Sequence, residues 1–389
     1  MPEKCLQLLK GLYEDEKYSS IIKYFVVFRH MKKQERGTIM KKQKNFIKIV
    51  LLGAVLCCLL AGCGQKSKNV NINEGMAAVE ALDYNKALQC FEKAMVDGED
   101  LRLLYRGQGL AYMGLTQYTE AAAAFEKALS NSNGQVDAVD YDINYYLATV
   151  YYKLGEINKS IQAYDSIIAL LPKDKVAYYL RGCLRIGTDF EKAKADFDKA
   201  ISLDKDDYTQ LIDIYLVLEQ NGYKEVGQEY LQAALDSGSK SMTDYECGRM
   251  YYYLKDYDNA RNYLEKARKT AGYEAVLLLG KTYEELGDNN YAVSVYNSFI
   301  ADDQTNAKVY NQLGLCKMEM GAYEEALAAF QAGMNIENND MMQTLKFNEI
   351  VTYEYLGEYK KAAVLLDSYL TTYPDDETAK REYTFLKTR

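Results

Sequence analysis

The sequence predicts an all-α solenoid, a stack of about nine similar helix pairs that ends in a C-terminal capping helix. Three observations support this prediction. The chain matches itself at a period near 34 residues, which is typical of stacked two-helix units. Small residues recur where two helices would touch. The chain has only 3 prolines in 389 residues, and Pro172 and Pro374 share a late repeat position, where a second helix must end.

Four copies show the repeat most clearly: 109–129, 248–268, 280–300 and 314–334. A small residue opens each copy, an aromatic or long residue follows three positions later, and an alanine follows after twelve. Small residues let two helix backbones approach, while large side chains at helical spacing fill the space between them. The small residues are Gly109, Gly248, Gly280 and Gly314, and the alanines are Ala121, Ala260, Ala292 and Ala326.

The other copies depart from this pattern in small ways. The third has Ala148 and Ser160 at the two small positions, and the fifth has gained about two residues and carries Val226 in place of the later alanine. The nine copies begin near residues 68, 102, 141, 175, 207, 241, 273, 307 and 343 and occupy residues 68–375. Residues 376–389 follow as a polar-faced capping helix, which a solenoid needs at its end.

This repeat resembles the tetratricopeptide repeat. The resemblance implies a right-handed superhelical solenoid whose first helices line a concave groove, where members of the family hold an extended peptide or a partner helix. The register of the family places ten partner-binding candidates in that groove: Arg106, Tyr145, Tyr152, Tyr179, Tyr245, Arg249, Tyr252, Tyr253, Lys281 and Asn311.

The 37 tyrosines of the chain fall into two groups by the same register. One group belongs to the packing positions. The other faces the predicted groove, where an aromatic ring with a polar tip offers contact area at low entropic cost. We interpret the groove as an aromatic, mixed-charge peptide site with Arg249 and Lys281 as its cations. The alternative is that these rings only cover an open surface. The packing group is Tyr112, Tyr151, Tyr251, Tyr283 and Tyr353.

Residues 40–62 have the features of an export signal. Four lysines between Met40 and Lys48 precede an apolar run from Ile49 to Leu60, which is too short to span a bilayer. The run ends in Leu-Ala-Gly-Cys, and this end resembles the lipobox of bacterial lipoproteins. The resemblance implies a diacylglyceryl anchor on Cys63, with residues 63–67 as a lipidated cysteine and short linker. The alternative is a short buried helix that contains cysteines.

Residues 1–39 are unexpected in front of such a signal. We interpret them as the product of a start codon assigned too early, or as a disordered leader. In that case the only histidine, His30, is absent from the mature protein. Histidine-dependent nucleophile arrangements and zinc sites are then excluded, and no phosphate-binding glycine loop is present.

The charge of the chain is uneven. Residues 1–62 hold 12 Lys and Arg against 5 Asp and Glu, which leaves 35 basic against 51 acidic residues in 63–389. An acidic body is a poor partner for nucleic acid. The sequence therefore predicts a lipoprotein on the extracytoplasmic face of a bacterial membrane, without cofactor, metal or catalytic site, that acts as a scaffold for another protein or an extended peptide. The open alternatives are a receptor-like binder of peptides or glycans and an envelope enzyme that uses only carboxylates.

Overall fold

The structure is a computed structural model that describes residues 69–132, 137–238 and 241–387. The predictions for residues 1–39, 40–62 and 63–67, including Cys63, lie outside these ranges. Within them, no helix combines the length and the apolar character that crossing a bilayer requires.

The described residues form nineteen helices and no strand. They alternate as the first and second helices of nine pairs, and a nineteenth helix follows the ninth pair, so the predicted all-α solenoid class is confirmed. The helices are α1 Val70–Glu80, α2 Tyr84–Val96, α3 Leu101–Gly114, α4 Tyr118–Ser130, α5 Ala138–Lys153, α6 Ile157–Leu170, α7 Lys175–Arg185, α8 Phe190–Leu203, α9 Tyr208–Gln220, α10 Lys224–Gly238, α11 Asp244–Tyr253, α12 Tyr257–Ala267, α13 Gly272–Glu285, α14 Asn289–Asp302, α15 Ala307–Glu319, α16 Tyr323–Met334, α17 Met342–Tyr355, α18 Tyr359–Thr372 and α19 Glu377–Leu386.

The chain divides into two compact units within α8, between Lys194 and Ala195. In the first unit, each helix from α1 to α6 packs against the next, so that the packing runs from α1 to α7. In the second unit, the same sequential packing runs from α9 to α19. Each unit has its own buried apolar clusters, as expected for a stack in which a pair touches mainly its neighbours.

The contact that the glycines predicted between the two helices of a pair is present in five pairs. A Cβ added at Gly109 would lie 2.5 Å from the ring of Phe125, and one at Gly314 would lie 2.3 Å from Phe330. The same spacing of sixteen residues joins Gly75 to Phe91, Gly248 to Leu264 and Gly280 to Tyr296. The first helix therefore provides a backbone surface onto which a large side chain of the second helix packs without a gap.

Two of the irregular copies preserve this contact by other means. In the third pair, Ser160 is fully buried, and its hydroxyl donates to the carbonyl oxygen of Ala148 at 2.7 Å. In the fifth pair, the prediction that Val226 takes the place of the alanine is wrong. The buried small residue is Gly227, whose added Cβ would lie 2.9 Å from the ring of Tyr215, while Val226 is only partly buried. The extra residues of this copy shift the small position by one.

The turn inside most pairs requires a left-handed residue two positions after the last residue of the first helix. Five pairs use glycine there, with φ between 74° and 85°. Three others place a residue with a side chain in the same conformation, which costs about 1–2 kcal/mol for an L-amino acid. These are Leu82, Thr116 and Lys255, with φ of 62°, 60° and 63°.

Neighbouring pairs are joined by a repeated polar contact. One residue of this contact lies on the second helix of a pair, five positions after the small residue of that helix. The other residue lies on the next helix along the chain. The tyrosine hydroxyl of Tyr283 donates to Glu265 at 2.8 Å, and that of Tyr383 donates to Asp367 at 2.7 Å. The equivalent contacts are Tyr151 with Glu126, Arg185 with Asp165, and Gln331 with Tyr353.

The capping helix α19 is held against the ninth pair by apolar and polar contacts. Ala379 and Leu386 are buried, and the hydroxyl of Tyr369 donates to Asp376 at 2.6 Å. One contact opposes this docking. Burial and a hydrogen bond with the carboxyl group of Glu382 on α19 raise the pKa of Glu354 on α17 to about 7.

We expect Gly109→Ala to lower the free energy of unfolding by about 1–3 kcal/mol, because its Cβ would overlap the ring of Phe125. Gly187→Ala is the matched control in the same unit, since nothing lies within 4 Å of its added Cβ. Urea unfolding followed by circular dichroism measures both. Equal stability of the two variants would contradict the close-contact role of Gly109.

The Glu354 carboxyl group predicts a pH dependence of stability. Its folded-state pKa of about 7 lies above the ordinary value of 4.5, so the folded state disfavours the ionised form. The unfavourable contribution is complete above pH 7 and vanishes below about pH 4.5. We expect Glu354→Gln to raise the free energy of unfolding at pH 8 by about 1–2 kcal/mol, a value reduced by solvent screening, and to leave it unchanged at pH 4.5. Thermal unfolding between pH 4.5 and pH 8 tests this prediction.

Glu319→Gln is the control, because Glu319 is an exposed glutamate in the same unit. An equal gain in stability for both variants would contradict the prediction.

Candidate functional site

All ten predicted partner-binding residues lie on the first helix of a pair. They divide between the two units, so each group is described separately. The first unit holds Arg106 on α3, Tyr145 and Tyr152 on α5, and Tyr179 on α7. The second unit holds Tyr245, Arg249, Tyr252 and Tyr253 on α11, Lys281 on α13 and Asn311 on α15.

In the first unit, Arg106 is already paired. Its Nε donates to Oδ2 of Asp142 on α5 at 2.7 Å, a second guanidinium nitrogen contacts the same oxygen, and the guanidinium lies 5.8 Å from the centre of the Tyr146 ring. One turn earlier, Arg102 donates to Asp137 at 2.7 Å. Two ion pairs therefore join neighbouring first helices, and the charge of Arg106 is largely neutralised.

Tyr145 makes a similar connection. Its hydroxyl donates to Oδ2 of Asp174 at 2.7 Å, and Tyr141 donates to the same oxygen. Asp174 also accepts from the backbone amides of Val176 and Ala177, so it caps the start of α7. Burial and the adjacent Asp174 carboxylate raise the pKa of Tyr145 above its ordinary value, which keeps the hydroxyl protonated as a donor.

Tyr152 and Tyr179 are half-buried. Each therefore has part of its surface in contact with the stack and part exposed to solvent. This partial exposure is compatible with the predicted contact role.

In the second unit, the side chains on α11 form a compact group. The guanidinium of Arg249 lies 5.5 Å from the centre of the Tyr245 ring and donates to the hydroxyl oxygen of Thr209 on α9 at 3.1 Å. Tyr252 and Tyr253 meet edge to face, with ring centres 5.5 Å apart. All four side chains are partly exposed.

Tyr252 faces the acidic end of α13. Burial, followed by the negative charge of Glu285, raises the pKa of Tyr252. The neighbouring Glu284 accepts from the hydroxyl of Tyr296 at 2.8 Å and from the amide of Gln312 at 3.2 Å. Glu284 is thus held in place by the second helix of its own pair and by the first helix of the next.

Lys281 differs from the other cations of the predicted set. It is exposed on α13, and it makes no ion pair within the part of the chain that the structure describes. Its ammonium group can therefore meet an acidic partner without breaking an internal contact.

Asn311 is buried, with 8% of its surface exposed, and its side-chain oxygen accepts from the amide of Asn348 on α17 at 2.8 Å. The pair joins the first helices of the eighth and ninth pairs. Little of Asn311 is accessible for a partner in this arrangement.

The packing tyrosines lie close to their predicted places. Tyr151, Tyr283 and Tyr353 are buried, while Tyr112 and Tyr251 are half-buried against apolar clusters. Three buried tyrosines on second helices, Tyr164, Tyr296 and Tyr369, were not predicted, and two of them, Tyr164 and Tyr296, follow the repeat pattern. The repeat spacing could have predicted the burial of Tyr164 and Tyr296, because they lie sixteen residues after the small residues Ala148 and Gly280.

Within the described ranges, no group of three or more His, Cys, Asp or Glu side chains is arranged to bind a metal ion. The geometry provides instead partly exposed rings, two cations and ordered carboxylates on first helices. These groups favour contact with another chain.

Two models of the tetratricopeptide repeat match the chain. One matches residues 106–175 and 245–307, and the other matches residues 177–207 and 307–340. The chain belongs to the tetratricopeptide repeat family. Proteins built from tetratricopeptide repeats commonly act as scaffolds for protein interactions.

Two curated relatives illustrate the range of this family. TPR repeat-containing protein MJ1428 of Methanocaldococcus jannaschii is 24% identical over 59% of this chain and 42% of its own length. Anaphase-promoting complex subunit 3 of Schizosaccharomyces pombe is 20% identical over 68% of this chain and 45% of its own length. The chain spans less than half the length of each.

Two solved structures of other proteins also match the chain. A tetratricopeptide repeat protein from Parabacteroides merdae is 17% identical, with a TM-score of 0.41, and the match covers 72% of this chain and 97% of that one. Yeast Tom70 is 15% identical, with a TM-score of 0.45, over 83% of this chain and 82% of its own.

We expect the predicted site residues to separate by their effect on stability. Arg106→Ala removes the cation that pairs with Asp142 and should lower the free energy of unfolding by about 1–2 kcal/mol. Lys281→Ala should change it by no more than about 0.5 kcal/mol, because Lys281 is exposed and unpaired in the described residues. Urea unfolding of both variants measures the difference, and a Lys281→Ala loss as large as that of Arg106→Ala would contradict this assignment.

Proposed function

We propose that this chain is an extracytoplasmic membrane lipoprotein whose repeats bind another protein or an extended peptide and so act as a scaffold. The observation that carries the proposal is the group of partly exposed side chains on α11 and α13 in the second unit. Arg249, Tyr252 and Lys281 lie on consecutive first helices, and Lys281 has no ion pair in the described ranges.

The chemistry of this group favours a peptide with both apolar and acidic side chains. The rings of Tyr245, Tyr252 and Tyr253 offer large contact areas with few rotatable bonds. Arg249 and Lys281 supply positive charge for a carboxylate. The proposal assigns the chain a binding role and no reaction.

Contacts within the stack support binding by a prearranged surface. Arg249 is held by Thr209, and Glu284 is held by Tyr296 and Gln312. Side chains that are already ordered lose less conformational entropy when a partner arrives. The relative from S. pombe is named as a subunit of a complex, and the same kind of role is proposed here.

The membrane anchor in this proposal comes from residues 40–63. The lysines, the short apolar run and the Leu-Ala-Gly-Cys sequence support export and lipidation at Cys63. A diacylglyceryl group provides the two acyl chains that stable membrane attachment requires.

The test starts with intact-mass analysis of the protein from its native membrane fraction, with and without Cys63→Ala. We expect a diacyl-modified chain that begins at Cys63 and a variant that lacks the lipid. Crosslinking mass spectrometry on the same cells then locates the partner. Its crosslinks should lie on α11 and α13.

A matched pair of double variants distinguishes the proposed surface from the rest of the unit. Tyr252→Ala with Lys281→Glu should remove the partner crosslinks. Tyr291→Ala with Lys269→Glu makes the same chemical changes at exposed positions that are not on a first helix and should preserve them. Partner crosslinks that survive the first double variant would overturn the binding surface, whereas an unmodified Cys63 would overturn the anchor.

A further inference from the structure

One end of the first pair exposes an unusual group of apolar side chains. Val70 is 43% exposed, Met95 is 42% exposed, Val96 is 87% exposed and Leu101 is 41% exposed. Single exposed apolar residues are normal on a protein surface, but a local group of them marks an interaction site. We call these four residues the terminal patch.

The terminal patch is one local surface because three helix ends meet there. Val70 begins α1, Met95 and Val96 end α2, and Leu101 begins α3. The side-chain amide of Asn71 donates to Asp97 at 2.9 Å, and the backbone amide of Asp100 donates to the side-chain oxygen of Asn69 at 3.1 Å. These bonds hold the three ends together.

The carboxylates at this end are engaged within the protein. Glu99 accepts from the backbone amides of Asn71 and Ile72, each at 2.9 Å. Asp100 accepts from the backbone amide of Leu103 at 3.0 Å and so caps α3. Their negative charge is therefore partly compensated by the amides at the starts of α1 and α3.

The length of the chain before the terminal patch indicates what covers it. Only five residues, 64–68, separate Cys63 from Asn69. A chain extends by at most about 3.3–3.6 Å per residue, so Asn69 lies within about 20 Å of the Cys63 thiol. The opposite end of the pair, at Leu82, lies a helix length further along. The tether therefore keeps the terminal patch within reach of the bilayer, and Leu82 is the end of the pair that lies further from the anchor.

The segment 64–68 also carries Lys66 and Lys68. Lysines next to a lipid anchor are attracted to anionic headgroups. Apolar side chains beside such lysines gain free energy by entering the headgroup and acyl boundary. The charge of this segment thus favours a lipid surface.

We propose that the terminal patch rests in the interfacial region of the bilayer to which Cys63 is anchored, so that the first pair contacts lipid with the end formed by Val70, Met95, Val96 and Leu101. This inference rests on the lipid anchor of the proposed function. It adds a defined orientation of the first pair on the membrane. The repeats would then begin at the membrane surface itself.

The absence of tryptophan from the chain makes a direct test possible. Val96→Trp places a single reporter in the terminal patch, and Leu82→Trp places one at the opposite end of the same pair, where Leu82 is 71% exposed. The full lipidated protein is reconstituted in phosphatidylcholine and phosphatidylglycerol vesicles, with and without brominated phosphatidylcholine. Excitation at the red edge of the spectrum avoids the tyrosines.

We expect the emission of Val96→Trp to shift to the blue on the vesicles and to be quenched severalfold more strongly by brominated lipid than that of Leu82→Trp. Equal quenching of the two reporters on protein that floats with the vesicles would overturn the inference and leave the anchor intact. A blue shift without bromine quenching would mean that protein, such as a second copy, covers the patch, and would also overturn it. A chain whose mass shows no lipid and that does not float overturns both the anchor and this inference.

Discussion

The stack depends on a contact that five of the nine pairs share, between a glycine of the first helix and a large side chain sixteen residues later. At Gly280 an added Cβ would lie 2.1 Å from the ring of Tyr296, so no side chain fits there. This contact sets the distance between the two helices of a pair. A pair of helices packed in this way still has an exposed apolar surface, and it buries that surface against the next pair. The contact therefore determines both the geometry of a pair and the packing of one pair on the next.

The polar contacts between pairs explain the placement of several tyrosines. A tyrosine ring fills the apolar space between helices, and its hydroxyl reaches a carboxylate of the neighbouring helix, as in Tyr283 with Glu265 and Tyr383 with Asp367. Phenylalanine would fill the same space but leave that carboxylate without its donor. Because a hydrogen bond requires a defined distance and direction, each such contact favours one relative position of the two helices. Arg185 with Asp165 makes the same connection with a charge.

The first helices combine two roles. Arg106, Tyr145 and Asn311 join neighbouring first helices through Asp142, Asp174 and Asn348. A residue in this position supports the stack, and its surface remains only partly accessible to a partner. Lys281 has no such bond in the described ranges and is exposed. Recognition of a partner by this surface thus depends most on side chains, such as Lys281, that make no bond within the described part of the stack. The bonds between first helices fix the backbone that carries these side chains.

The sequence by itself determined the class of the fold, the number of pairs and the capping helix, because the small and large positions recur in register and local helix pairs need no distant contacts. It also placed Tyr151, Tyr283 and Tyr353 correctly in the core. Only the tertiary structure decided that Gly227 and not Val226 closes the fifth pair, since an inserted residue moves the register without leaving a mark in the pattern. Only the structure showed that Arg106 and Asn311 are bonded to the next pair. Their partners, Asp142 and Asn348, lie 36 and 37 residues away. A spacing of about one repeat indicates only that two residues hold similar positions in neighbouring repeats. Whether their side chains touch depends on how the two pairs pack.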